Sequence, residues 1–326
     1  MSAAIDLYRP STQERDIHTL PHDFFFDILR RAQNADGGWG YRPGLPSTTE
    51  PTAWSILALQ AHETPSGETL ASAAGWLQQA QLAEGAWPTS SGREPGCWVT
   101  ALACLALMGM ADTSRDVLIR GARWLCDTWP AEGNLLWRLR QQKSRLLVHQ
   151  DHSLRGWGWT PNTASWVEPT AYALILLQNM PENLRPPQAI KRIQLGEKML
   201  YDRTCPGGGW NAGNPLVYGV AGVPRIGPTV WALLALRNYK ERSANSEGLE
   251  WLSQSYQSLR SPASLALTQL CLKVYGRASE PVEAKLGDFY SNNQFMNSIP
   301  AIAWVVLALN GLPGWLDCTP QAKDTI

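Results

Sequence analysis

The sequence predicts an all-α protein, an (α/α)6 barrel or toroid of six outer–inner helix pairs. Three observations lead there. Six apolar stretches share one register along the chain. Each is preceded by an amphipathic stretch that keeps a register of its own. No β-branched run alternates with period two, as a half-buried strand would require, so almost no strand is expected.

The apolar elements close on Leu-rich tetrapeptides at 56–59, 104–107, 174–177, 233–236 and 306–309, with a weaker copy ending at Leu270-Cys271-Leu272. Seven residues before each last leucine stand Thr52, Thr100, Thr170, Thr229, Leu265 and Ile302; five before stand Trp54, Leu102, Tyr172, Trp231, Leu267 and Trp304. Segments apolar on every face belong inside a protein. These are the inner helices, expected near 51–62, 99–110, 169–180, 228–240, 262–275 and 300–311. Pro51, Pro169 and Pro228 suit a helix's first turn, where proline's missing N–H is not needed.

The outer elements carry a large residue, usually followed by leucine, and a marker residue five positions on. In order they begin at Ile28 (then Gln33), Trp76 (Gln81), Trp124 (Trp129), Met199 (Thr204), Trp251 (Tyr256) and Phe289 (Gln294). Their alternation of apolar and charged faces, as in Asp27-Ile28-Leu29-Arg30-Arg31, is that of a helix half exposed to water. Closing the inner helices into a ring buries them on both sides, which an open solenoid would not. The whole chain, 1–326, is expected to be one domain.

One connection is longer than the rest. Residues 130–166 form an insertion before the third inner helix, and its stretch 135–147 reads as a basic amphipathic segment. Leu135, Leu136, Leu139, Leu146 and Leu147 supply the apolar side; Arg138, Arg140, Lys143 and Arg145 supply charge. Long connections within compact domains are usually functional or disordered. A lid or a peripheral contact with an anionic membrane surface is expected.

The bulk numbers exclude more than they assign. Lys plus Arg and Asp plus Glu both number 28, which disfavours a nucleic-acid partner. The six cysteines form no C-x-x-C pair and read as free, buried thiols of a reducing compartment. No segment has signal-peptide character or about 18 uninterrupted apolar residues. A cytoplasmic protein follows as the expectation. Its oligomeric state is not encoded in any pattern we recognise.

Sixteen tryptophans against five phenylalanines need a specific reason. Three outer helices run into a Gly-Trp turn at one spacing: Gln81 to Gly85-Ala86-Trp87, Gln33 to Gly37-Gly38-Trp39, and Thr204 to Gly208-Gly209-Trp210. This resembles the glutamine–tryptophan motif of the squalene and hopene cyclases and the repeat of the protein prenyltransferase β subunits, over about residues 21–311. The glutamine amide is expected to satisfy backbone groups at a neighbouring helix end, clamping successive pairs.

The resemblance implies a central hydrophobic cavity for an isoprenoid or other polyene-like substrate, and no cofactor. Related cyclases carry Asp-x-Asp-Asp-Thr-Ala at the start of an inner helix. Here that motif falls on Trp166-Val167-Glu168-Pro169-Thr170-Ala171, with a second copy at Thr48-Thr49-Glu50-Pro51-Thr52-Ala53. Glu168 is therefore the principal candidate acid or cation-stabilising group, Glu50 the weaker one. Trp54, Tyr172, Trp231 and Trp304 are the candidate aromatic lining, each offering a cation roughly 0.5–2 kcal/mol. Trp157, Trp159 and Trp166 are placed at the cavity mouth.

The zinc-dependent prenyltransferases need aspartate, cysteine and histidine on one metal. Asp202 and Cys205 lie together, but no histidine follows them; His149, Asp151 and His152 read as a solvated loop, so no metal is expected. Asp-Asp-x-x-Asp and Cys-Gly-Glu-Gln are both absent. The leading expectation is a terpene cyclase-like enzyme with a degenerate acid motif. A prenyltransferase and a non-catalytic isoprenoid-binding or interaction barrel are the alternatives.

Overall fold

The structure, a computed structural model, describes residues 22–62, 67–90, 94–110, 115–134, 136–137, 150–291 and 297–317. Helices dominate throughout. The inner elements are α2 (Thr49–Ala61), α4 (Val99–Met108), α6 (Val167–Asn179), α8 (Ile226–Ala235), α10 (Pro262–Val274) and α12 (Ile299–Asn310). The outer elements that precede them are α1 (His22–Arg31), α3 (Gly67–Ala80), α5 (Arg115–Asp127), α7 (Ala189–Asp202), α9 (Ser243–Ser255) and α11 (Glu280–Ser291). A last turn, α13 (Gly314–Asp317), follows. Among the described residues no helix is long and apolar enough to cross a membrane.

The order of pairing differs from the sequence reading in one respect. Each outer helix from α3 onward packs chiefly on the inner helix before it in the chain, α3 on α2, α5 on α4, α7 on α6, α9 on α8 and α11 on α10, rather than on the one that follows it. Three inner helices also begin two residues earlier than expected. Pro51, Pro169 and Pro228 occupy the third helical position rather than the first, still within the turn whose N–H groups have no helical acceptor. The fourth inner helix stops at Ala235, and 237–239 continue as a 3-10 turn.

The chain groups into two compact units. The first comprises the described residues within 22–80, 89–90 and 258–317. In it α12 packs against α2 and α10, with α1 laid on α12 and α11 on α10. The second comprises the described residues within 81–88 and 94–257. There α6 packs between α4 and α8, with α5 on α4, α7 on α6 and α9 on α8. Every residue of α6 from Pro169 to Leu177 is buried, as a helix apolar all round demands.

Four inner helices are pinned by a threonine. Its hydroxyl accepts the backbone N–H of the turn tryptophan at 2.9 Å in each copy: Trp39 to Thr52, Trp87 to Thr100, Trp157 to Thr170 and Trp210 to Thr229. The same hydroxyls donate back to the carbonyls of Trp39, Trp157 and Trp210 at 3.0–3.3 Å, and to that of Trp87 at 3.5 Å. The indole N–H is also used: Trp39 donates to Leu29 O, Trp157 to Leu125 O and Trp210 to Leu200 O. All four indoles are buried. A buried polar group left unpaired is expensive, so each turn is locked to the start of its inner helix.

Gln33 and Gln81 extend the lock. Their amides donate to carbonyls, Gly37 and Thr69 for the first, Gly85 and Val117 for the second, at 2.8–2.9 Å. Gly37 and Gly85 lie in the turn, and Thr69 and Val117 in the first turn of the next outer helix, where carbonyls already serve the helix; the glutamine therefore ties the turn to that helix rather than capping orphan N–H groups. Gly37 and Gly85 hold φ near +92° and +97°, and a Cβ on either would lie 2.6–2.7 Å from a carbonyl of that helix, so only glycine fits.

The third copy is rebuilt. Trp129 stands in the glutamine register, and fully buried Arg192 lies between the Trp129 and Trp157 rings, 4.1 Å from each centroid. Its Nη2 donates to Thr128 O and Gly156 O at 3.1 Å, taking over the bridging role of the amide. Burial pulls its pKa down to about 10, which leaves it charged at neutral pH.

Candidate active site

The threonine lock fixes what surrounds it. Two residues before the threonine stand Glu50, Trp98, Glu168 and Gly227 in the first four copies; two after stand Trp54, Leu102, Tyr172 and Trp231. These positions hold most of the candidate residues, and each unit gathers its own set.

In the second unit four aromatic rings are contiguous. Trp98 meets Trp159 edge-on at 4.9 Å and stacks on Tyr172 at 5.6 Å, and Tyr172 meets Trp231 at 5.2 Å. Trp98 N–H donates to Trp159 O at 3.1 Å, fixing the first pair. Trp98 and Trp159 are half-buried, whereas Tyr172 and Trp231 are buried. Glu168, half-buried at the start of α6, reaches the start of α8. Its Oε1 lies 2.9 Å from where a Cβ on Gly227 would be. The carboxylate thus occupies space left by a glycine in its own register on the next inner helix.

Trp166 precedes α6 half-buried and donates its N–H to Trp157 O at 2.9 Å. Trp157 is buried, and both its N–H groups and its ring are committed to the lock and to Arg192. A pocket of about 20 Å³, lined by Trp98, Trp124, Trp129, Trp157, Pro169 and others, lies beside it. That volume suits about one water molecule and does not touch Glu168, Tyr172 or Trp231.

In the first unit Glu50 has the corresponding place at the start of α2. The Tyr41 hydroxyl donates to its Oε2, and Tyr41 is held in turn by Ile299 N–H on its carbonyl at 3.0 Å. Burial pushes Glu50 above the usual carboxylate pKa; hydrogen bonds from Tyr41 and Trp54 offset part of the rise. Trp54 meets Trp304 edge-on at 5.9 Å. Sequence reasoning singled out neither Trp98, Tyr41 nor Gly227. Trp98 and Gly227 were available from the register, two residues before Thr100 and Thr229; Tyr41 sits in a turn that carries no repeat.

The residues weighed for metal binding are placed otherwise. Asp202 accepts Asp151 N–H at 3.1 Å and faces Arg203 at 3.3 Å. Cys205 is buried, and its N–H donates to Gly209 O in the glycine turn. His152, expected in solvent, is buried, its ring 5.3 Å from that of Trp137; the insertion folds back on itself there. His149 and residues 138–147 of the amphipathic segment, with Leu135, lie outside the described residues. The five described cysteines are free and buried, as expected.

No family model and no curated protein matches the sequence. Solved structures do. A type II terpene cyclase from Scytonema, MstE, in its apo form is 14% identical at a TM-score of 0.58, over 89% of this chain and 96% of that one. A variant of that enzyme holding its substrate, geranylgeranyl dihydroxybenzoate, is 14% identical at 0.56, over 89% and 95%. A protein from Actinoplanes is 15% identical at 0.58, over 89% and 98%. Likeness at this identity shows the fold: all-α, of the (α/α)6 class built from six outer–inner helix pairs.

Proposed function

We propose that this chain is a terpene cyclase-like enzyme that folds a flexible isoprenoid chain against an aromatic surface and cyclises it through a carbocation. The observation that carries the reading is the contiguous ring series Trp159, Trp98, Tyr172 and Trp231, in which Tyr172 stands four residues after Glu168 on α6. Ring faces present negative charge to a cation, worth roughly 0.5–2 kcal/mol each once water is removed. A series of them suits a charge that moves as successive bonds form. The fold's likeness to a cyclase with a geranylgeranyl-bearing substrate supports the same substrate class.

In this reading Glu168 is the principal acid or cation-stabilising group. As an acid it gives its proton to an activated terminus, an epoxide or allylic alcohol. Without the flanking carboxylic acids of related cyclases, a bare alkene is a harder target. The π electrons of successive double bonds then form the ring bonds, and a proton leaves from carbon at the end. As a carboxylate it instead shelters the cation. Trp54, Trp304 and Glu50 form a second, weaker candidate group, and Trp157 and Trp166 hold the turn that positions the first. The insertion is assigned to covering the site.

The test is turnover of geranylgeranyl dihydroxybenzoate and of its terminal epoxide, read by mass spectrometry as a product isomeric with the substrate. Glu168→Gln and Glu50→Gln are compared with wild type. Loss in the first and retention in the second supports the assignment. Wild-type turnover by Glu168→Gln removes the acid role. A co-purifying isoprenoid that is bound and never converted favours the non-catalytic barrel.

A further inference from the structure

The fourth copy of the locked turn is longer than it needs to be. Trp39, Trp87 and Trp157 reach their threonines across 13 residues, whereas Trp210 reaches Thr229 across 19. The hydrogen bonds that close the four turns are the same, so the surplus serves no part of the lock. It is spent on a two-stranded hairpin, Leu216–Val217 paired antiparallel with Val220–Ala221, where the sequence reading had allowed almost no strand.

This hairpin exposes what proteins usually hide. Tyr218, Val220 and Val223 are 72%, 69% and 75% exposed, and both residues of the second strand face solvent. No charged side chain occurs from Thr204 to Pro224. The tip is Tyr218-Gly219, with φ of 52° and 74°. A two-residue hairpin loop with both φ positive favours Asn-Gly or Gly-Gly, and a bulky residue held at positive φ is strained. Tyrosine stands at the tip against local preference and makes the tip amphipathic. The base is fixed: Val167 N–H donates to Ala212 O at 3.1 Å, and the Gln150 amide to Gly213 O at 2.6 Å. The hairpin is thus rooted at the start of α6, beside Trp166 and Glu168.

We infer that the Leu216–Ala221 hairpin, with Val223, is a finger that enters the interfacial layer of a lipid membrane. A protein groove covers one face of a strand pair, and here the tip and both faces of the outer strand are apolar and uncharged. Tyrosine is the side chain suited to the headgroup boundary, apolar in its body and polar at its end. The finger goes beyond the proposed chemistry and is independent of the basic segment in the insertion. It places the helix starts that carry Glu168 next to the medium in which an apolar chain dissolves.

The experiment is co-sedimentation of the full-length chain with phosphatidylcholine vesicles, repeated at low and high salt and with added anionic lipid. Wild type is expected to bind neutral vesicles with little dependence on salt. Tyr218→Asn keeps or improves the turn and is expected to lower the partition coefficient about tenfold through lost apolar contact. Val220→Ser with Val223→Ser is expected to do the same, with unchanged circular dichroism. Equal binding by the variants, or wild-type binding that needs anionic lipid and vanishes in salt, overturns the inference. So does self-association in sedimentation velocity without vesicles that Tyr218→Asn abolishes, which assigns the finger to a second copy. No turnover is measured, so failure here leaves the proposed reaction standing.

Discussion

Gly227→Ala is a substitution whose consequence is set by one distance. The new methyl would lie 2.9 Å from Glu168 Oε1, with the carboxyl carbon 3.9 Å away and nothing else in close range. A carbon–oxygen contact relaxes at about 3.4 Å, so the carboxylate must retreat by about 0.5 Å. It is the far end of a flexible chain and can do so without moving backbone. Gly227 lies at the start of α8 with φ in the ordinary region, so alanine itself is neutral or favourable, by about 0.4–1 kcal/mol through the unfolded chain. Thermal stability should therefore hold or rise slightly. Turnover should fall about tenfold, since misplacing a reacting group by 1 Å can cost on the order of 10²-fold. Steady-state kinetics with the epoxide substrate, beside a melting curve, reads both. Gly75→Ala is the control, because a methyl there meets open space. Wild-type turnover in Gly227→Ala, with the same stability, would refute the idea that the glycine sets the acid's position.

Thr170→Val should lower stability by about 1–3 kcal/mol, because the backbone N–H and carbonyl of Trp157 lose one buried partner; Thr170→Ser should recover most of it in a denaturant melt. Glu197, buried and held by Gln178 and Tyr239, has its pKa raised by burial. Its contribution to stability is then full below the unfolded carboxyl pKa and lost as pH rises through its own higher value. Glu197→Gln should remove that loss, so the variant gains on wild type as pH rises above the ordinary carboxyl value; identical pH–stability curves would refute this. Arg192→Lys should destabilise despite keeping the charge, because a compact ammonium cannot lie flat between the Trp129 and Trp157 rings; a melting curve within error of wild type would count against the stack.

The register of the six inner helices was legible because burial on every face leaves no polar positions to blur the pattern. Their leucines and the glycine–tryptophan spacing located α2, α4, α6, α8, α10 and α12 to within a few residues, apart from the early end of α8. The hydroxyl of Thr170 was visible as a recurring letter and not as a lock, since its partner is backbone 13 residues upstream, and backbone partners leave no mark in a sequence. Trp98 escaped notice because its copy carries Leu102 where the first, third and fourth carry Trp54, Tyr172 and Trp231; its ring joins the series from the position used by Glu168 instead. The Arg192 stack was hidden for a related reason. Replacing Gln by Trp129 looks like a decayed motif until the arginine from the next outer helix is brought beside it. The Leu216–Ala221 hairpin is too short for periodicity to register.

The arrangement around each threonine has a consequence for how such a chain can change. The residue that holds the turn and the residue that offers chemistry are two apart on the same helical start, yet only the first bonds the backbone of its own turn tryptophan. Thr52, Thr100, Thr170 and Thr229 answer to a backbone. Positions 50, 98, 168 and 227 carry an acid, an indole, an acid and a bare backbone on equivalent frames. Randomising those four while leaving the threonines untouched amounts to exchanging reagents on a fixed bench. A combinatorial library built this way should stay folded in most members and diverge in what it binds or converts, and the same freedom lets descent try new reactions without first risking collapse.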